Sequence, residues 1–431
     1  MRVLWFVEKP LAPVTRRLGG PDVNHGSWLD QYEAALRSAH DITLAVAGPS
    51  DTAFEPFETG GVTYFALPGT SSNGVRRVAD RWRRLARPDT NLDHCREVIE
   101  RFHPDLVQVH GTEREFGLLA GVSPVPVVIS IQGLLTVYAL TESRGIDRSL
   151  ILSLSPSLFV RGTGNLLDNV RQWTGAARER RSIRLGRHFI GRTSWDADVV
   201  RVLNPGAHYY HCDELLRPEF SASDWDPGRC APTTVYCTAG SYARKGLGTL
   251  FKAIALLREG AVPQIRLRVA GVDLRHPEET RATAREIRRL GLTGCVDVLG
   301  TLDATGIVQE LLRAAVFALP SHADNSPNSL AEAMMVGTPC VASAVGGVPS
   351  LARDRVEALL VQDGDPYSLA GAILRLLEDH ELARQLSLNA RAAAAHRHDP
   401  QRVRQTLVGI YHTVLQRDGL EQSSHDLQPP A

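Results

Sequence analysis

Short apolar, β-branched runs recur along the chain, separated by longer stretches whose apolar positions repeat with helical spacing. That alternation predicts parallel sheets covered by helices on both faces, since each run is too apolar to leave a face in water. The first half supplies runs at 3–7, 42–45, 62–67, 106–110, 127–131 and 189–191. The pattern then restarts, with runs at 234–238, 265–270, 296–299, 316–319, 340–342 and 359–361. Between the two sets, 217–232 is rich in proline and serine and lacks an apolar period, so it reads as an interdomain linker. The expected organisation is one Rossmann-like domain over 1–225 and a second over 226–399, followed by an amphipathic helix over 400–416. A polar, disordered tail is expected over 417–431.

Composition narrows the class. A chain of 431 residues suits two or three domains at roughly 150 residues each. A formal net charge of +0 gives no general attraction to nucleic acid or to a membrane surface. Lysine occurs only at Lys9, Lys245 and Lys252, which makes each lysine informative. The cysteines are scattered without Cys-x-x-Cys or metal-like spacing, and read as reduced thiols. The first apolar run is too short for a signal peptide, and no run reaches the roughly 18 apolar residues of a membrane span. A cytoplasmic protein is expected, at most peripheral on the inner face of a membrane. Two arginine-rich stretches, 76–87 and 171–187, read as solvated helix faces, with the first the better candidate for peripheral membrane contact.

The candidate chemistry centres on Pro320-Ser321-His322-Ala323-Asp324-Asn325-Ser326-Pro327-Asn328-Ser329-Leu330-Ala331-Glu332, which follows an apolar run. Strand, polar loop and helix are expected in that order, with the helix starting at Pro327 or Asn328. Asp324 then lies in the loop and Glu332 about one turn inside the helix, both able to face the crevice where open α/β sheets bind ligands. Free amides at the helix start favour an anion, and a carboxylate can accept two hydrogen bonds from a ribose diol. Farther along, Gly346-Gly347-Val348-Pro349 forms a tight turn that lets backbone approach a ligand. Upstream, Arg244-Lys245-Gly246 supplies cations suited to a diphosphate.

Together these elements resemble the retaining glycosyltransferases of GT-B fold known as family 4, the glycosyl transferases group 1. That family carries a Glu-x7-Glu motif, a Lys-Gly loop and a Gly-Gly-Val-Pro turn, matched here by Asp324 to Glu332, Lys245-Gly246 and Gly346-Gly347-Val348-Pro349. Gly26-Ser27-Trp28 and the segment from Pro104 to Gly111 resemble the family's first-strand loop and fourth-strand motif, so the likeness runs over about residues 1–415. It implies two facing Rossmann-like domains, an N-terminal one for the acceptor and a C-terminal one for the donor, with the last helix crossing back to the first. The activity implied is transfer of a hexose-type sugar from a nucleotide diphosphate sugar to a glycan, lipid-linked or small-molecule acceptor.

Position by position, the resemblance makes Glu332 the partner of the ribose hydroxyls and Asp324 a contact of the donor sugar. Lys245, with Arg244, neutralises the diphosphate, and these place Asp324, Lys245 and Glu332 in the catalytic set. Ser241, Asn325, Ser326, Asn328, Ser329, Gly346, Gly347 and Val348 complete the donor site. Gly26, Ser27, Trp28, His110 and Gln132 line the acceptor side. No metal or other cofactor is expected, the nucleotide sugar being a substrate.

Three positions depart from the family: Asp324 replaces a glutamate, Ser241 an arginine, and Gln132 a histidine. The leaving phosphate is then the expected proton acceptor, and stabilising it the main catalytic task. The rivals are a GT-B epimerase or hydrolase acting on the nucleotide sugar alone, and a catalytically silent nucleotide-sugar-binding partner. A pyridoxal-type phosphorylase lacks its lysine, since none follows Lys252. Gly162-Thr163-Gly164 fails as a dinucleotide fingerprint because Leu167 takes the third glycine position.

Overall fold

A computed structural model of the chain describes residues 1–20, 27–39, 41–69, 92–141, 165–239, 244–272 and 277–426. The stretch 76–87 and the positions Gly26 and Ser241, all named above, lie outside the described residues, and of Ser27 only the backbone is described. The chain divides into two compact units: Met1–Ala139, Leu152–Leu215 and Asp399–Ala431 form the first, and Leu140–Ile151 with Leu216–His398 the second.

The first unit is built on an eight-stranded sheet in the order β3-β4-β2-β1-β5-β6-β7-β8. Its strands are β1 (Arg2–Phe6), β2 (Thr43–Ser50), β3 (Phe57–Thr59), β4 (Val62–Pro68), β5 (Leu106–His110), β6 (Val127–Ser130), β7 (His188–Gly191) and β8 (His208–His211). All pairings are parallel except that of β3 with β4. The side-chain alternation of a strand divides the core into two layers. Val3 and Trp5 of β1 and the following Val7 pack in one layer, and Leu4 and Phe6 in the other.

The second unit holds a six-stranded, all-parallel sheet in the order β11-β10-β9-β12-β13-β14. These strands are β9 (Ala231–Thr238), β10 (Arg266–Ala270), β11 (Val296–Gly300), β12 (Ala314–Leu319), β13 (Cys340–Ser343) and β14 (Leu359–Val361). The same alternation sends Val316 and Ala318 to one core layer and Phe317 and Leu319 to the other.

Each apolar run read from the sequence overlaps a strand, whereas β3 and β8 are additional. Both are edge strands with partly exposed residues, and a sequence such as His208-Tyr209-Tyr210-His211 carries no apolar run to betray them.

Three expectations need correction. The stretch read as a linker is packed: Pro218–Ser221 is a short helix, Phe220 is fully buried, and the Trp225 indole N–H donates to the Ala314 carbonyl at 2.8 Å. Two aromatic anchors suffice to fix a segment that has no apolar period. The tail from Arg417 is not disordered at its start, because the last helix runs over Pro400–Asp426 and Asp418 meets His188 Nε2 at 3.0 Å. Within the first unit, Val403, Leu407, Ile410, Tyr411 and Val414 of that helix join the core layer containing Trp5. The Tyr411 hydroxyl accepts from the Trp5 indole at 3.1 Å and donates to the Gln108 amide oxygen.

The second arginine stretch belongs largely to the helix Asn165–Leu185, which is not wholly solvated. Ala176, Glu179, Ser182 and Ile183 are fully buried, and Arg178 donates to the Glu113 carbonyl. Among the described residues no helix is long and apolar enough to cross a membrane.

Candidate functional site

In the second sheet the strand order reverses between β9 and β12, so the loops leaving these adjacent strands diverge and leave a crevice at their carboxyl ends. The loop after β9 delivers Arg244 and Lys245, and the loop after β12 delivers Ser321 to Pro327. The two loops lie against each other through one glycine. Gly246 has φ of +67°, and a Cβ there would stand 1.9 Å from the Pro320 carbonyl oxygen, so only glycine permits this approach. The His322 amide donates to the Arg244 carbonyl at 2.8 Å, fastening the loops further.

This packing brings together the charges that the sequence separates. Lys245 Nζ donates to Asp324 Oδ2 at 2.6 Å, and the Ser321 hydroxyl donates to the same oxygen at 3.0 Å. Arg244 stands 4.0 Å from Asp324 Oδ1 and donates to the Ala323 carbonyl at 3.3 Å. Asp324 is thus the partner of the two cations rather than a cap of the following helix.

That helix, Asn328–Val336, begins after Pro327 with no side-chain cap, and ends where Gly337 takes φ of +87°. Its first amides have no intrahelical acceptor and carry the positive end of the helix dipole. Every residue from Leu330 to Val336 is buried, so Glu332 is held in an apolar setting. Burial pushes the Glu332 carboxyl up from its ordinary range, opposed by the charge and hydrogen bond of Arg217. Arg217 donates to Glu332 Oε1 at 2.8 Å and lies over the Phe220 ring.

The Gly-Gly turn behaves differently from the expectation. Gly346 is left-handed, with φ of +50°, but the Gly347 amide donates to the Asp324 carbonyl at 3.0 Å and the Val348 amide to Val345 at 3.0 Å. The Gly347 amide thus braces the Asp324 loop and the Val348 amide closes its own turn, so both already have acceptors. Of the other residues expected to hold the donor, Asn325 and Ser326 lie in the loop after β12 and Asn328 and Ser329 open the following helix.

In the first unit, Trp28, His110 and Gln132 come together at the carboxyl ends of β5 and β6. They share a recess with Tyr32, Arg192 and Glu214. His110 is 1% exposed, its ring 4.6 Å edge-on from Trp5 and 5.8 Å from Trp28. Burial, with the Arg192 charge, lowers its pKa to about 3, so the ring is neutral. Arg192 pairs with Glu214 and donates to the Ile131 and Gln132 carbonyls at 3.1 and 3.0 Å.

Sequence reasoning missed Arg217, Ser321, Arg192 and Glu214. Arg217 sat in the apparent linker, 115 positions from its partner. Arg192 precedes Thr193 and Asp196, which form a capping box at the start of the next helix. A charged residue beside a capping motif carries no signal of its own. Among the described residues no group of three or more His, Cys, Asp or Glu is placed to hold a metal ion.

Residues 231–393 match the family model of glycosyl transferases group 1. D-inositol 3-phosphate glycosyltransferase of Streptomyces griseus is 31% identical over 160 residues, 35% of this chain and 32% of the relative. Phosphatidyl-myo-inositol mannosyltransferase of Mycobacterium leprae is 29% identical over 187 residues, 43% of this chain and 48% of the relative. The chain spans about a third of the length of the first of these curated relatives. Among solved structures, sucrose-phosphate synthase from Thermosynechococcus elongatus superposes with a TM-score of 0.74 at 17% identity, covering 96% of this chain and 99% of that one. Anabaena HepE in complex with UDP and glucose gives a TM-score of 0.63 at 16% identity, covering 96% of this chain and 100% of that one. Likeness at that identity establishes architecture. The chain carries in residues 231–393 a domain of the glycosyl transferases group 1 family, and its fold is GT-B.

Proposed function

We propose that the protein transfers a hexosyl group, with retention, from a nucleoside diphosphate sugar held by the second unit to an acceptor hydroxyl recruited by the first. The observation that carries this reading is the meeting of Lys245, Arg244 and Asp324 beside the start of the Glu332 helix, at the switch point of a parallel sheet. The group 1 family match over residues 231–393 supports it.

Each group has a task that follows from its surroundings. Glu332, oriented by Arg217 through one oxygen, offers acceptor capacity to the two hydroxyls of a ribose. A diphosphate entering beside Lys245 competes with Asp324 for the ammonium group and frees that carboxylate for hydroxyls of the sugar. The amides of Asn328 and Ser329 and the dipole of their helix favour the same anion.

In transfer, the bond from the anomeric carbon to the diphosphate breaks and the bond to the acceptor oxygen forms. The acceptor proton passes to the departing phosphate oxygen. Lys245 and Arg244 stabilise the charge that develops there, in place of a metal. The relatives named for inositol-based acceptors make a cyclic polyol one acceptor class to test.

A thermal-shift panel of uridine, guanosine and adenosine diphosphates and their sugars identifies the donor, because binding to the folded state raises apparent stability. Glu332→Ala should erase that shift and abolish transfer, and unchanged activity in this variant would remove the donor-site assignment. Donor consumed at the same rate with and without acceptor would instead indicate an epimerase or hydrolase.

A further inference from the structure

The recess in the first unit is small, about 20 Å³, which is room for one water-sized group. His110 faces into it with both ring nitrogens lacking a hydrogen-bond partner among the described residues. A neutral imidazole has one donor and one acceptor nitrogen. The two nitrogens point in different directions, so a group in so small a space meets one of them, and a hydroxyl can accept from the N–H or donate to the bare nitrogen.

Anions fit poorly. Among the described residues lining the recess the one cation is Arg192, already paired with Glu214 and bound to two carbonyls. The imidazole itself is uncharged near neutral pH. The other lining residues are uncharged, among them Gln132, Ser130 and Tyr32, and include the Trp28 ring, an aromatic surface of the kind that packs against the C–H face of a sugar.

Resting on the glycosyltransferase reading, we propose that this recess selects a neutral acceptor by seating one of its ring hydroxyls on His110, with the ring lying against Trp28, and that it discriminates against a phosphate or carboxylate at that position. The contrast is with the curated relative named for D-inositol 3-phosphate, a charged polyol. Arg192 and Glu214 act as positioning residues: their mutual pairing keeps the recess neutral.

The test is ligand-observed NMR titration of the full chain with methyl hexosides and myo-inositol against hexose 6-phosphates and inositol phosphate, each with and without saturating nucleoside diphosphate. At least one neutral compound should bind at least tenfold more tightly than its phosphorylated counterpart. His110→Asn and His110→Phe should each weaken it at least tenfold, with the nucleotide Kd held within about twofold. His110→Phe keeps the aromatic bulk, so it remains informative should His110→Asn fail to fold. Phosphorylated ligands binding as well as neutral ones would overturn the proposal, as would neutral ligands indifferent to both variants. A loss confined to nucleotide sugar relative to bare nucleotide would assign the hydroxyl to the donor and overturn the acceptor assignment. Failure of every nucleotide to bind, with sugars still bound through His110, would reject the donor reading and leave the recess standing.

Discussion

The two candidate sites satisfy their polar groups in opposite ways. In the second unit the working side chains are charged and already paired, Lys245 with Asp324 and Arg217 with Glu332. In the first unit the central group is neutral and its hydrogen bonds are unmade, with the nearby Arg192 and Glu214 cancelling each other. The first arrangement can exchange one ion pair for another when a charged ligand enters. The second can only gain, since a buried unmade hydrogen bond costs about 1–3 kcal/mol until a partner arrives. The difference teaches that one chain can hold two recesses suited to opposite chemistries, the paired charges to a charged ligand and the unmade bonds to a neutral polar group.

The largest effect should come from breaking the charged side. Lys245→Ala removes a cation that the proposed mechanism assigns to the departing phosphate, and leaves the buried Asp324 without its ammonium partner. A fall in kcat of about 10²–10³, the size seen when one preorganised donor is removed, is expected in steady-state kinetics. Lys245→Arg should retain part of that rate; full activity in Lys245→Ala would show that Arg244 carries the charge alone.

A smaller, structural effect should follow from Gly246→Ala. The left-handed backbone and the Pro320 carbonyl both oppose a Cβ, so a loss of roughly 2–4 kcal/mol is expected in denaturant unfolding. Weaker nucleotide binding should accompany it. A variant as stable as the parent would mean the two loops can separate without cost.

The smallest effect sharpens the contrast through pH. His110 titrates at about 3 in the folded protein against 6.5 ordinarily, so its contribution to stability is complete above pH 6.5 and is lost as pH falls toward 3. Glu332 has the opposite sign: raised by burial, its contribution is present below its ordinary value of 4.5 and lost as pH rises through its folded value. Thermal melts from pH 7 to pH 5 should therefore fall more steeply for the parent than for His110→Phe. Parallel slopes would mean the ring gains a proton in the fold without penalty.

Much of the second unit was legible in the chain itself. The run before Pro320, the helix start at Asn328 and the rare Lys245 fixed strand, helix and cation by local rules, because proline, glycine and periodic apolar positions act on their neighbours. Less of the first unit was legible. His110 and Gln132 stood at recognisable strand ends, but nothing adjacent to them in sequence said that Arg192 and Glu214 would cancel at the same recess.

By itself, then, the sequence determined the alternation of strand and helix, the doubly wound class, and which loops follow which strands. Only the tertiary structure decided which charges meet: Arg217 with Glu332, Lys245 with Asp324, Arg192 with Glu214. It also decided that the Gly347 and Val348 amides serve the fold rather than a ligand. The reason is physical. Backbone preference and apolar period act within a few residues, whereas the pairing of buried polar groups is set by strand order, which joins positions far apart in the chain.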